Sequence, residues 1–308
     1  MARTRFAPDR GLSARMGLTM FLLGLLYVVL IVTLFFAFGR TAGGALFAVL
    51  ISGGLLWAQW YFSDRMALAA MRGRVVSPQQ APQLHAIIDR LCAVANMPKP
   101  RVAIADTDLP NAFATGRSPD RAVVCATTGL LRRLDAREVE AVLSHELSHV
   151  AHRDVTVMTV ASFVAVLAGF MTRSMMWSGM MGGNRRDNNQ NAAVVFLVVM
   201  LVSMIVYAVS YVLIRTLSRY RELAADRAGA YLTGQPSALA SALVKITGEM
   251  GRIPTRDLRA AEPYNAFFFA PAITDKFDFS SMFSTHPPLR QRLEQLERIS
   301  AELGRPMA

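Results

Sequence analysis

Ser144-His145-Glu146-Leu147-Ser148-His149 is the stretch that decides how this chain reads. It contains the spacing His-Glu-x-x-His. On an α-helix, residues four apart share a face, one turn above the other. Two imidazoles so placed can hold one zinc ion, and the Glu between them can reach a water on that ion. The segment also carries its own start signal. Asp135, followed three positions later by Glu138, has the pattern of a capping box that opens a helix. Motifs of this spacing also arise by chance on surface helices, so the reading turns on what completes the site.

Catalytic zinc takes three protein ligands and keeps one position open for water. His152 shares the face of His145 but lies about two turns, or 10.5 Å, along a straight helix, too far for the same ion. A later His needs a Gly-containing turn to bring it back, and Val150-Ala151 continues the helix instead. Glu222 is the better third ligand. It stands in Arg219-Tyr220-Arg221-Glu222-Leu223-Ala224-Ala225-Asp226, with Asp226 one helical turn further on the same face. Asp226 can accept a hydrogen bond from the far ring nitrogen of a metal histidine. A solvated helix face pairing with nearby arginines is the plainer alternative for this pair.

Membrane geometry favours Glu222. Hydrophobic residues make up 53% of the 308, and the mean hydropathy is +0.32, which points to membrane spans rather than an ordinary soluble domain. Gly17–Phe38, Gly44–Phe62, Val155–Thr172 and Ala192–Ile214 are each near the ~20 residues that a bilayer core requires. Arg3, Arg5, Arg10 and Arg15 precede the first run, which is too long for a signal-peptide core and reads as an uncleaved anchor. Arginines also follow the second and fourth spans: Arg65, Arg72 and Arg74, then Arg215, Arg219 and Arg221. The positive-inside rule therefore places the N-terminus, residues 63–154 and residues 215–308 in the cytoplasm. Arg173, Arg185 and Arg186 in the intervening loop run against that pattern, partly offset by Asp187. His149 lies about 9 Å of helix rise before the third span, and Glu222 about 12 Å beyond the fourth. Antiparallel helices leaving one membrane face thus bring the three ligands to similar height.

The formal net charge is +11 and the pI about 10.4. No nucleic-acid recognition motif accompanies that charge, so it is assigned to the flanks of membrane helices. Cys92 and Cys125 match no metal pattern and read as free thiols in a reducing compartment.

Between the spans, Gln83–Ala95 has the apolar period of an amphipathic helix, and Arg101–Ala105 and Ala122–Thr127 read as short strands. Residues 110–116 form a loop or edge segment. The absence of Gly and Pro from Leu131 to Ala168 predicts that the motif helix runs straight into the third span. Arg215–Tyr231 reads as an extension of the fourth span, with Gly229 its one helix-weak residue. Leu243–Met250 continues helical, and Leu289–Leu303 forms a last helix with Leu293, Leu296 and Ile299 on one face. The Phe267–Phe283 aromatic cluster is assigned to core or membrane-facing surface.

His-Glu-Leu-Ser-His-Val-Ala-His-Arg-Asp from His145, the later Arg-Glu-Leu-Ala-Ala-Asp, and Ser-Thr-His-Pro-Pro-Leu near the end resemble the HtpX-type membrane zinc endopeptidases, relatives of the CaaX prenyl proteases. The resemblance covers nearly the whole chain. It implies a mainly α, polytopic membrane protein: four transmembrane helices and a cytoplasmic α+β zincin-like (gluzincin) catalytic domain. The expected parts are an N-terminal hairpin at 1–63, a first catalytic part at 64–154, a second hairpin at 155–214 and a second catalytic part at 215–308. One Zn2+ per chain would sit on His145, His149 and Glu222, with Glu146 as general base. The resemblance further places His286 near the site, as a donor to the tetrahedral oxyanion or else a helix-start residue ahead of two prolines, and Arg292 in the same stretch, on substrate or simply paired with a carboxylate. Residues 110–116 resemble the family's substrate edge, where an extended peptide adds as a strand and Asn111 helps to fix it. The family implies quality control of damaged or misfolded membrane proteins in a bacterial plasma membrane, often linked to stress.

Two other classes remain. A site-2-type intramembrane protease also carries His-Glu-x-x-His, but here Arg132, Arg133, Asp135, Arg137 and Arg153 surround the motif, which argues for a position outside the hydrocarbon. A non-enzymatic membrane scaffold with a structural metal would carry the same ligands. Substrate identity and oligomeric state are not readable from the chain.

Overall fold

Residues 10–37, 53–54, 57–58, 60–158, 161–162, 165, 167–169, 172, 190–250 and 286–304 are described by this computed structural model. The chain divides into two compact units, each described here by itself. One contains Tyr61–Thr156 and Ser218–Ala308 together with Met1–Leu12; the other contains Ser13–Trp60 and Val157–Leu217.

In the first unit the helices α2 (Ser63–Ala70) and α3 (Pro82–Ala95) flank the short strand β1 (Gly73–Val75). Then come β2 (Arg101–Ala105), β3 (Ala112–Thr115), β4 (Val123–Thr127) and the short helix α4 (Thr128–Arg133). The strands form one sheet in the order β1-β2-β4-β3. β2 and β4 are parallel, while β1 and β3 lie antiparallel at the two edges. Side chains alternate along the strands. Val102, Val124 and Ala126 join the main core; Ala103, Ala105, Val123 and Cys125 form a second cluster with Phe113 on the other face. With both faces covered, β4 is buried along its length, as expected of a strand that is an unbroken apolar run.

The motif helix α5 (Ala136–Ala151) starts as its sequence indicates. Asp135 Oδ1 accepts from the backbone of Arg137 and Glu138, both at 2.9 Å, and Glu138 Oε2 accepts from the Asp135 N–H at 3.0 Å. α5 packs on β3, β4, α3 and α7 (Pro236–Met250), and α7 packs on α8 (Leu289–Glu302). Leu143, Leu147, Leu243, Ile246 and Leu296 meet in this core, each at most 1% exposed. Glu138, 3% exposed, is tied to α7 by Ser241 Oγ and Lys245 Nζ, both at 2.6 Å.

The motif helix does not continue into the third span. His152 caps α5, Arg153 takes a left-handed φ of +57°, and helix resumes at Asp154. Gly and Pro are the usual breakers, and neither is present. Here a residue with a Cβ accepts the left-handed region, and the functional site shows what the turn achieves.

The second unit holds α1 (Arg10–Ala37), the helical residues described between 157 and 172, and the first part of α6 (Gln190–Thr233). Leu23 and Leu30, Ala161 and Ala168, and Val206 form its buried cluster together with Leu217. Within α1 and within 161–168 the buried positions recur at sevens, the period of helices packed at a shallow angle. The outward faces are apolar as well: Leu18, Phe21, Leu25, Leu197, Leu201 and Val212 are each at least half exposed. Ala14–Thr33 and Val194–Thr233 are long and apolar enough to cross a membrane, with only 11% and 22% of their most apolar windows buried. Such faces are unstable in water and natural in lipid. Most of the expected second span, Gly44–Phe62, and the aromatic cluster at 267–283 lie outside the described residues. Within the third, Val155–Thr172, every described residue is helical.

Candidate metal centre

α5 presents His145 and His149 on one face, and α6 presents Glu222 opposite them. The approach is close because of Gly229, whose carbonyl accepts from Ser144 Oγ at 3.3 Å. His145 Nε2 and His149 Nε2 are 3.2 Å apart. Glu222 Oε1 lies 3.4 Å from His149 Nε2, and Oε2 lies 3.6 Å from His145 Nε2. In a tetrahedral site with bonds of ~2.1 Å, ligand atoms stand about 3.4 Å apart. The two histidine nitrogens are near that spacing, each Glu222 oxygen faces a different one of them, and one ligand atom from each residue makes a triangle within 4.8 Å, close enough to share an ion. Among the described residues they are the group of His, Cys, Asp or Glu able to hold an ion together.

Each histidine is also held from behind. His145 Nδ1 lies 2.9 Å from Asp226 Oδ1, and His149 Nδ1 bonds Asp154 Oδ2 at 2.7 Å. Arg292 grips Asp226 with two nitrogens, at 2.6 and 2.7 Å, and Arg221 Nε stands 3.1 Å from Asp154. Burial opposes charge on His149, but the Asp154 and Glu222 carboxylates outweigh it and push the imidazole up to about 10. His145 is raised in the same way against its burial, by Asp226 and Glu222.

Glu146, 4% exposed, is beside the triangle and outside it. Its Oε2 accepts from the Ala114 N–H at 2.9 Å. Burial raises its carboxyl above the usual range, although the two histidines pull the other way. Ala114 belongs to the edge strand β3, so residues 110–116 supply a strand with one side unpaired by the sheet.

The other expected residues fall in different places. His286 is 4% exposed, with Nδ1 3.2 Å from Glu222 Oε2. Arg292, expected on substrate, is 1% exposed and engaged by Asp226 beneath the histidines. Its planar fork matches a carboxylate, and the deep position removes it from a bound peptide. Asn111, also expected on substrate, is fully buried, and its backbone N–H and C=O are both taken by Thr127. A substrate strand would find those backbone groups already paired. His152 stays out of the cluster, with Nδ1 2.8 Å from the Ser148 carbonyl.

Sequence reading missed Asp154 and Arg221 as site residues. Their signal was a charged residue at each junction between motif helix and apolar run. Their partnership appears only once Arg153 turns the chain.

Known proteins resemble this chain over most of its length. The model of peptidase family M48 matches residues 78–300. "Protease HtpX homolog 1" of Streptomyces coelicolor is 56% identical over 98% of this chain and 97% of its own length. "Protease HtpX homolog" of Moorella thermoacetica is 52% identical over 98% of both. The crystal structure of S. mikatae Ste24p aligns with a TM-score of 0.48 and 17% identity, over 89% of this chain and 66% of that one. With a metal-ready His-Glu-x-x-His centre, apolar outward-facing helices and a family match over most of its length, the chain belongs to peptidase family M48, as a membrane-bound metalloprotease of the HtpX type.

Proposed function

We propose that His145, His149 and Glu222 hold one zinc ion and that Glu146 is the general base of peptide-bond hydrolysis. The observation that carries this is the convergence of the three side chains: the two Nε2 atoms are 3.2 Å apart, and the Glu222 carboxylate meets each of them with a different oxygen, at 3.4 and 3.6 Å. When bound, zinc supplies Lewis-acid polarisation of a water molecule and of the scissile carbonyl. The chain's own residues do the rest. An extended segment of substrate pairs with the open edge of β3, which aligns its backbone beside Glu146. Glu146, made more basic by burial, takes the proton of the attacking water and passes it to the leaving amine. His286 donates to the carbonyl oxygen as negative charge develops there. Asp226 holds His145 in the tautomer that leaves Nε2 free for metal.

The substrates proposed are damaged or misfolded membrane proteins. Exposed apolar helix faces on the same chain support that choice, because they would hold enzyme and substrate in one bilayer. The arginine pattern supports a catalytic unit on the cytoplasmic side, and the likeness to the HtpX homologues supports a multi-pass protein of a bacterial plasma membrane.

The test is the Glu146→Gln variant, assayed on an unfolded polypeptide with zinc content measured in parallel. Cleavage should fall by about 10²–10⁴-fold while zinc remains bound. Cleavage at the wild-type rate would refute the role of Glu146. Proteins retained on the inactive variant would identify the substrate class.

A further inference from the structure

We infer that Asp154 and Arg221 are positioning residues for the second metal histidine, forming with His149 a relay that parallels His145–Asp226–Arg292. The inference rests on the zinc reading above and extends it to residues that neither touch the ion nor lie in the motif.

Position is the first argument. Asp154 follows His149 by five residues. On a straight helix that offset lies about 140° around the axis, so the two side chains would diverge. They meet because Arg153 takes a φ of +57° between them. The turn swings Asp154 back under the imidazole, where Oδ2 reaches Nδ1 at 2.7 Å. A left-handed conformation is unfavourable for a residue with a Cβ. It persists where surrounding contacts over-determine it, and here those include Arg153 N–H to the Val150 carbonyl and Thr156 N–H to the Arg153 carbonyl, both 3.1 Å.

Charge is the second. Asp154 is 2% exposed and Arg221 8% exposed. An isolated carboxylate there would be costly, and Arg221 Nε at 3.1 Å supplies the opposite charge. Arg221 immediately precedes Glu222. One turn of α6 therefore brings the third ligand to the ion and the counter-charge to the group behind the second ligand.

The consequence is chemical. An imidazole whose Nδ1–H is bonded to a carboxylate presents its Nε2 lone pair outward. That nitrogen is the atom of His149 facing His145 and Glu222 in the triangle. Asp154 thus fixes tautomer, ring rotation and basicity together. It also makes seating of α6 against α5 part of metal binding.

The experiment uses the full-length purified protein, with zinc affinity measured by competition against a chelator. Metal-free thermal unfolding and the visible spectrum of the cobalt-substituted form are read alongside. Asp154→Asn keeps size and an acceptor but loses the charge. It should bind zinc about 10–100-fold more weakly, with an altered cobalt spectrum. Because this variant leaves Arg221 uncompensated, the double variant Asp154→Asn/Arg221→Gln is the second arm. It removes the uncompensated charge, so it should unfold at a higher temperature than the single variant and still bind zinc at least tenfold more weakly. Zinc affinity within twofold of wild type in both variants, with a lower metal-free unfolding temperature in the first, would reduce the pair to a structural bridge and overturn the inference. If wild type itself takes up no zinc, the underlying metal reading fails as well. If wild type binds zinc and the variants bind it equally, only the positioning role fails.

Discussion

Gly229 lies against the backbone of His145: a methyl group on its Cα would fall 3.0 Å from the His145 nitrogen and 3.2 Å from its Cα. Both neighbours are backbone, so they cannot swing aside as a side-chain tip would. The first metal ligand and the helix of the third thus depend on one missing side chain. Gly229→Ala should destabilise the protein by about 1–3 kcal/mol, the usual range for overpacking, and weaken zinc binding. Gly248, on α7, has open space where its Cβ would be. Gly248→Ala should stabilise by about 0.5–1 kcal/mol through helix propensity. Denaturant unfolding of the two variants checks both signs; an unaffected Gly229→Ala protein would show that the helices separate freely.

Proton linkage should differ between metal-free and zinc-loaded protein. His149 is raised from an ordinary 6.5 to about 10 in the metal-free fold. A histidine raised by folding adds stability that is fully present below pH 6.5 and is lost as pH rises towards 10. Metal-free protein should therefore be stabler at pH 6 than at pH 9 as far as this group is concerned. Zinc takes the place of the proton, so zinc-loaded protein should lack that component, and zinc uptake at neutral pH should release protons. Unfolding at the two pH values, with and without zinc, measures the difference.

His286 stands 3.2 Å from the Glu222 carboxylate and is proposed to serve the substrate carbonyl. His286→Gln should lower kcat by about 10²-fold, the effect of removing one oxyanion donor, with zinc content unchanged. A variant that loses its zinc would assign His286 to support of Glu222 instead.

Arg292 is the counter-charge of Asp226, which is fully buried. Arg292→Ala should cost about 3–5 kcal/mol, as expected when one partner leaves a buried ion pair. Arg292→Lys should recover only part of this, because an ammonium cannot make the two-pronged contact. Thermal unfolding of both variants reads the order.

Cys92 and Cys125 are both buried free thiols. Burial pushes Cys125 up to about 12; burial, with the nearby Asp89, pushes Cys92 up to about 11. The thiolate is the reactive form, so neither should react with a thiol reagent at pH 8 in the folded protein. Both should react in denaturant. Rapid labelling of native protein would contradict this picture.

Much of the catalytic unit was legible locally. Asp135 and Glu138 announced the start of α5, the apolar period at 83–95 announced α3, and richness in Val, Ala and Ile announced β2 and β4. β1 was not legible, because three residues with one Arg carry no strand pattern; pairing with β2 makes it a strand. The motif helix was misread as running straight on into the expected third span, since the absence of Gly and Pro from Leu131 to Ala168 says nothing of a residue driven into the left-handed region. Arg292 was left between substrate and a carboxylate, and only the fold shows Asp226 as that carboxylate; Asn111 was placed on substrate by resemblance, and the fold buries it.

The sequence by itself supplied the candidate ligand pair His145 and His149, the Glu between them, and the reasons to propose Glu222 rather than His152. Those follow from helix periodicity and from lengths that fit a membrane, which are properties of local stretches. Only the tertiary structure decided what stands behind the ligands. Asp154 and Arg221 come together across α5 and α6, Arg292 reaches Asp226 from α8, and Gly229 sets how closely two helices meet. The first of these depends on the left-handed turn at Arg153, and the charged pairs depend on burial, where a charge must find a partner because water is absent. Neither spacing nor composition encodes which partner that is.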